Sequence, residues 1–355
     1  MLGSLQMNWS QLNSAFTLFL SLLVEAIPFL LLGVLFSSLL LFFVNERTLV
    51  RIMPKHPFLG ALAGSCIGFL FPVCECGNVP VARRLLMQGV PSPVAIGFLL
   101  AAPTINPIVF WATWTAFRDQ PEVVFLRVTF SLAIATIIGW VFGTQADLRP
   151  LLQPAVARSI PSPLANRQAK EKGALEPMED LVSPLLQSGT YFLGKKDQPI
   201  IDASELQATM VAANTFHKPL PYKLSLFLEN TVLEFRELAA VLVIGSAIAA
   251  VLQVFVPRDV ILGLGQGPVT SILAMMLLAT VVSICSTVDA FFALSFASTF
   301  TTGSLLAFLV FGPMIDLKGI GLMLSIFKTR AIVYLLVLAA QLTFLFTFFV
   351  NLYGS

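Results

Sequence analysis

The chain has 355 residues, 57% of them hydrophobic and only 11% charged, whereas soluble domains carry charge on about a quarter of their residues. A net charge of +2 and the lack of a strongly basic tract argue against a nucleic-acid partner. Mean hydropathy is +0.88, and several uncharged runs exceed the roughly 18 residues that make a transmembrane helix candidate, so the lipid bilayer is the expected partner.

The first 45 residues lack the basic leader and short apolar core of a cleaved signal, and they read as a true first helix. Residues 12–45 form this span, interrupted by Glu25 and Pro28. A short basic loop occupies 46–57. Residues 58–76 run apolar into a polar island, Phe71-Pro72-Val73-Cys74-Glu75-Cys76-Gly77-Asn78-Val79-Pro80-Val81-Ala82-Arg83-Arg84. Its prolines and glycine are expected to interrupt any helix there. Residues 79–89 are too short to span, 92–117 are apolar but contain Pro103-Thr104-Ile105-Asn106-Pro107, and 123–145 form a clean span.

A polar stretch follows at 146–231, with nine Lys or Arg and nine Asp or Glu. It reads as a long cytoplasmic loop with a short helix over 202–215 and a loop histidine at His217. The second membrane half starts at 232. It offers a span at 237–257 beginning with Glu237, and an apolar run at 268–285 ending in Ser283-Ile284-Cys285-Ser286-Thr287-Val288-Asp289. After a short segment at 290–301, residues 303–326 contain Gly312-Pro313-Met314-Ile315-Asp316, and 331–350 close the chain as a last span. The domains are therefore membrane repeat 1 (1–145), the polar loop (146–231) and membrane repeat 2 (232–355).

The two halves match in their anomalies. Glu25 and Gly33 stand eight apart, as do Glu237 and Gly245; Cys74 and Asn78 stand four apart, as do Cys285 and Asp289; Pro103 and Asn106 stand three apart, as do Pro313 and Asp316. Broken apolar segments at matching places in two halves point to a transporter's binding site. Basic residues cluster at 46–57, at both ends of the central loop and at 318–330 (Lys318, Lys328, Arg330), so the positive-inside rule makes all three cytoplasmic. That pattern needs an odd number of spans per half. The fold class is thus an all-α polytopic membrane protein with an inverted two-fold repeat. Each half has three full spans plus a re-entrant helical hairpin, giving about eight apparent helices. Four true spans per half in parallel repeats is the alternative.

Polar groups at a hairpin tip either cap helix ends or line a solute path. Cys74, Cys76, Asn78, Asn106, Cys285, Asp289 and Asp316 are the candidate substrate-binding residues. A carboxylate at membrane depth is expensive, and burial favours its neutral form, which suits proton coupling by Glu25, Asp289 and Asp316. Inter-helix hydrogen bonding is the structural alternative for Glu25, and helix capping is that for Asp289. Paired thiols prefer soft ions. One Cys-x-Cys lacks the four-ligand pattern of a structural zinc site, so no metal centre and no cofactor are expected. Three thiols, Cys74, Cys76 and Cys285, converge on one thiophilic species if the hairpins meet; otherwise they are small apolar fillers, as Cys66 is expected to be. Arg83 and Arg84 either carry an anionic solute, pair with Glu75 or Asp289, or mark a cytoplasmic mouth. Gly60, Gly64 and Gly68 form a G-x-x-x-G run that favours close helix packing.

The stretches PVCECGNVPVARRLLMQGVPSP, GFLLAAPTINPIV, SICSTVDAFFALSF and FLVFGPMIDLKGI resemble the two conserved blocks of the predicted permease family that contains the organoarsenical efflux permeases. The resemblance covers about 12–145 and 232–350. It implies a permease of about eight transmembrane segments in a plasma or inner membrane, and it assigns Cys74 and Cys76 to the family's first-block cysteine pair. The characterised branch exports trivalent organoarsenicals.

The expected function is therefore a secondary-active permease, not an enzyme, moving a small thiophilic or organometalloid solute outward with proton coupling. No G-x-x-x-x-G-K-[ST] motif occurs, so energy comes from an ion gradient or a separate subunit. A membrane thiol redox enzyme and a channel are the alternatives. The first suffers from cysteines one residue apart and from the lack of a membrane histidine. The second needs a continuous pore lining. The oligomeric state stays open, a homodimer being one arrangement.

Overall fold

The computed structural model describes residues 2–43, 53–54, 56–71, 74–145, 148–159, 220–255, 267–297 and 299–353. The helix expected over 202–215 and His217 lie outside them. Among the described residues the elements are helical, apart from one antiparallel bridge between Leu152 and Phe327. The first half contains α1 (Leu2–Phe43), α2 (Pro57–Gly68), α3 (Glu75–Met87), α4 (Ser92–Ile105), α5 (Pro107–Ala116) and α6 (Pro121–Gly143). A short helix α7 (Pro154–Ser159) opens the central loop. The second half contains α8 (Leu220–Phe255), α9 (Pro268–Val282), α10 (Asp289–Leu294), α11 (Thr302–Met314), α12 (Leu317–Met323) and α13 (Thr329–Tyr353). Five of these helices, α2, α5, α6, α7 and α9, begin with proline, whose fixed φ and missing N–H suit a first helical position.

Among the described residues, five stretches are long and apolar enough to cross a membrane: Leu12–Leu39, Ser92–Ala116, Pro121–Gly143, Thr302–Met323 and Thr329–Leu352. The chain is a multi-pass membrane protein. Ser92–Ala116 and Thr302–Met323 are 78% buried, against 28% for Leu12–Leu39 and Thr329–Leu352, so the former two form the centre and the latter two face outward. Both central stretches are broken. The first breaks at Asn106, whose Oδ1 accepts from the Val109 N–H at 2.9 Å and caps α5. The second breaks at Ile315-Asp316, where Asp316 Oδ1 accepts from the Gly319 N–H at 2.7 Å and caps α12.

Two details differ from the sequence reading. Glu75 to Met87 form a helix through Gly77 and Pro80, and the break falls before it, after α2 ends at Gly68. Pro80 sits past the first turn, so its missing N–H withdraws a helical partner from the Cys76 carbonyl, a loss that packed neighbours can absorb. Helix α8 starts at Leu220 and runs 36 residues, so the boundary placed at 231/232 falls inside it. Its first part carries Glu229, Glu234, Arg236 and Glu237, and ion pairs with α3 support that polar start.

Helix α1 lies along α8 and α3. Ser37 and Ser38 of α1 meet Asn230, Thr231 and Glu234 of α8, while Leu22 clusters with Ala249 and Ala250, so α1 and α8 run antiparallel. In the first half α2, α4 and α6 pack mutually, and in the second α9, α11 and α13 do the same. Across the halves, α3 meets α12 and α5 meets α10. The glycine run on α2 works as its spacing predicts: Gly64 abuts the Val94 backbone and Gly68 abuts Ala102, both on α4. One apolar core unites both halves, holding Leu30, Val34, Ile96, Leu99, Val310, Phe311, Leu322 and Leu335.

Gly33 of α1 touches the backbone of Gly77 in α3, with no room for a Cβ. Its spacing counterpart Gly245 of α8 has its nearest neighbour, Lys318 Cα, at 3.5 Å from a Cβ position. Gly33→Val should therefore destabilise the detergent-purified protein by about 1–3 kcal/mol, the usual cost of overpacking, while Gly245→Ala should leave the melting temperature nearly unchanged. Thermal unfolding of both variants checks the difference.

Candidate solute site

Cys74 occupies the position before α3, and Glu75 is that helix's first residue. Cys285 lies in the turn between α9 and α10. These turns bring one thiol from each half together: the two sulfurs and a Glu75 carboxylate oxygen all lie within 4.8 Å of one another. All three residues are buried. Thr287 Oγ1 donates to Cys285 Sγ at 3.5 Å. Cys76 is buried too, as a side-chain neighbour of Cys74, but stands outside this trio.

The charges around the trio come from two further helices, α12 and α1. Lys318 of α12 is 1% exposed and places its Nζ 3.9 Å from Glu75 Oε1. Its electrostatic neighbours also include Asp316 and the thiols of Cys76 and Cys285. Half-buried Glu25 of α1 is an electrostatic neighbour of Glu75. Neither Glu75 oxygen has a hydrogen-bond partner among the described residues, nor do Asn78 Oδ1, Ser286 Oγ or Asp316 Oδ2. Buried polar groups are normally satisfied, so these open atoms are candidates for contact with a solute, a proton or water.

Asp289 is drawn elsewhere. Its carboxylate takes a two-pronged ion pair from Arg127 of α6, at 2.6 Å and 3.0 Å, and the same guanidinium donates to Thr113 Oγ1 of α5 at 2.8 Å. Asn78 donates through Nδ2 to the Leu99 carbonyl, and Asn106 through Nδ2 to the Ala102 carbonyl at 3.2 Å. Of the expected binding residues, the structure thus joins Cys74 and Cys285 directly and brings Asp316 in through Lys318. Cys66 is exposed on α2 rather than packed as filler.

Arg83 and Arg84 pair with neither Glu75 nor Asp289. Arg83 reaches Glu237 at 3.2 Å, and Arg84 reaches Glu234 at 3.4 Å. Ser37 donates to both Glu234 oxygens at 3.0 Å and 3.1 Å, and Asn230 donates to Ser38 Oγ at 2.9 Å. Lys318, read as a cytoplasmic topology signal, is instead one of the most deeply buried side chains, whereas Lys328 and Arg330 are exposed. Arg127 escaped notice inside an apparently clean span. The available signal was its charge, since an ionisable residue within an apolar 23-residue helix marks an interior polar contact.

Multiple spans, two broken central helices and buried acceptors at the breaks define a permease-type membrane protein that moves a small solute. The chain belongs to the predicted permease family (ArsP_1), whose model matches residues 11–352. It is similar to the UPF0718 protein YcgR of Bacillus subtilis, with 40% identity over 332 residues covering 94% of each chain. It is also similar to a Streptococcus mutans protein provisionally named a two-component membrane permease complex subunit, with 32% identity over 323 residues, 91% of this chain and 90% of the relative. No solved structure matches. The family assignment makes this a transport protein rather than an enzyme.

Removing one partner of a buried ion pair leaves the other charge uncompensated at a cost of about 3–5 kcal/mol, while replacing both by apolar groups is often near neutral. Asp289→Asn and Arg127→Met should each lower thermal stability by that order. The double variant Arg127→Met/Asp289→Leu should recover most of the loss in the same melting assay.

Proposed function

We propose that this chain is a secondary-active exporter of a small thiol-reactive solute of the organometalloid kind, bound between Cys74 and Cys285. The observation that carries the reading is the meeting of one thiol from each half with an unbonded buried carboxylate. A trivalent organometalloid forms two bonds to sulfur, so a pair of adjacent thiols suits it, and soft ligands favour it over hard cations. The third thiol, Cys76, would receive the solute as it enters or leaves the pair.

The architecture under this proposal is two inverted repeats, each with three spans and a re-entrant hairpin. The hairpins would be α2 with α3 and α9 with α10. Three features support it. The corresponding first helices α1 and α8 run antiparallel, as inversion demands. The α2–α4–α6 packing is matched by α9–α11–α13. The cross-half contact of α3 with α12 is matched by α10 with α5. Alternating access then moves these matched contacts against each other around the thiols.

Proton coupling falls to the carboxylates facing the trio: Glu75, with Asp316 and Glu25 beside it. Asp289 joins this circuit when its Arg127 pair opens. Protonating Glu75 frees Lys318 to turn to Asp316, which loosens the α3–α12 contact without stranding a charge.

Everted vesicles or proteoliposomes loaded with the pure chain test both parts, with a trivalent phenylarsenical as probe. Cys74→Ser and Cys285→Ser should each reduce uptake about tenfold or more, the equivalent of at least ~1.4 kcal/mol of lost binding, and Cys66→Ser should not. Glu75→Gln should make the remaining flux insensitive to an imposed pH gradient. Wild-type rates in the Cys74→Ser/Cys285→Ser double variant would sink the thiol site.

A further inference from the structure

We propose that Cys74, Glu75 and Cys285 also take a bare soft divalent metal cation as cargo, in exchange for two protons. The inference rests on the thiol-pair reading above and extends it to a second class of solute.

Geometry comes first. A zinc-like ion bonds sulfur at about 2.3 Å, so two sulfurs on one ion stand at most roughly 4.6 Å apart. The two sulfurs and the Glu75 oxygen already lie within 4.8 Å of one another, and small side-chain rotations close the remainder. The donor set of two sulfurs and one carboxylate selects thiophilic ions over magnesium or calcium, which demand six or more oxygens. Glu75 gives up no hydrogen bond among the described residues to become a ligand, only its 3.9 Å contact with Lys318.

Charge decides the stoichiometry. With both thiols protonated, Glu75 and Lys318 cancel. Entry of the ion replaces two S–H bonds with two metal–sulfur bonds and releases two protons, so M²⁺ + 2 RSH becomes M(SR)₂ + 2 H⁺. The total charge of the pocket is unchanged, which matters because an uncompensated charge in a low-dielectric interior is costly. Lys318 offsets the Glu75 charge before and after loading. When Glu75 turns to the metal, the ammonium keeps Asp316 as a neighbour. An organometalloid dihydroxide loads differently: its two hydroxyls leave as water with the thiol hydrogens, and no proton is released. Proton count therefore separates the two cargos at one site.

The test uses the full chain in detergent with Cd²⁺ alone as probe. Cadmium–thiolate absorbance and calorimetry in buffers of different ionisation enthalpy should give one Cd²⁺ per chain and two protons released. Mg²⁺ should not compete. Cys74→Ser and Cys285→Ser should abolish the thiolate band, and Glu75→Gln should weaken binding by no less than the about 10–100-fold that outer-shell changes already cost. Cys66→Ser should bind as wild type does. X-ray absorption of the wild-type complex should count two sulfurs on the ion, a readout that needs no variant to fold. No Cd²⁺ binding at micromolar concentration, a single sulfur on the ion, or binding unchanged in the double cysteine variant overturns the proposal. If thiol-dependent arsenical flux persists in that event, only the metal cargo falls; if wild-type arsenical flux is absent as well, the thiol-pair reading falls with it.

Discussion

Helix α3 carries a carboxylate and two guanidinium groups among largely apolar helices, and an isolated charge in such surroundings is costly. Each charge on α3 is met by a partner from the second half of the chain: Glu75 by Lys318, Arg83 by Glu237 and Arg84 by Glu234. These pairs dictate where α3 sits, between α8 on one side and α12 on the other. The close Gly33–Gly77 crossing then brings α1 against the same helix. Once α3 is fixed in this way, Cys74 and Glu75 at its start have only one place to be, beside the turn that holds Cys285.

The two broken central helices perform the same local task with different chemistry. Asn106 and Asp316 each end one half-helix and cap the next through a side-chain oxygen. A neutral amide suffices for α5, but α12 has a carboxylate, and two residues later it carries Lys318 where the first half has Ile108. The start of α12 therefore carries its own charges and that of α5 does not. The first half compensates with Arg127, which reaches from α6 to Thr113 on α5 and Asp289 on α10.

The membrane character, the two broken segments and the matched polar positions were legible in the sequence because rare residues stand out against an apolar background. The Asn106 and Asp316 breaks fell at the residues that spacing had singled out, since proline and a side-chain cap act locally. What escaped was pairing. Arg84 and Glu234 are 150 residues apart, and Arg127 and Asp289 are 162 apart, so nothing local joins them. Lys318 looked like a loop cation because lysines cluster near helix ends, and only the packing of α12 against α3 and α8 shows it buried. The start of α8 was hidden for a related reason. Its polar residues read as loop composition until α1 and α3 supplied their partners.

Two of the cross-half joints, α5 with α10 and α3 with α12, are fastened unequally. Between α10 and the first half, the Arg127–Asp289 pair has two short contacts and a further bond to Thr113. Between α3 and α12, the Glu75–Lys318 pair spans 3.9 Å with no hydrogen bond to the carboxylate. Charge-assisted hydrogen bonds with two-pronged geometry are the strong ones, so the α10 joint holds while the α3 joint yields more readily. The yielding joint is the one beside the two thiols. Under the proposed thiol site, a solute that draws Glu75 away from Lys318 acts on the weaker of two matched contacts, and an equilibrium responds to a ligand only as far as the ligand distinguishes its states. Under the permease reading, that inequality lets one small solute bias the whole molecule: it need not break the Arg127 pair, only tip a contact already held loosely.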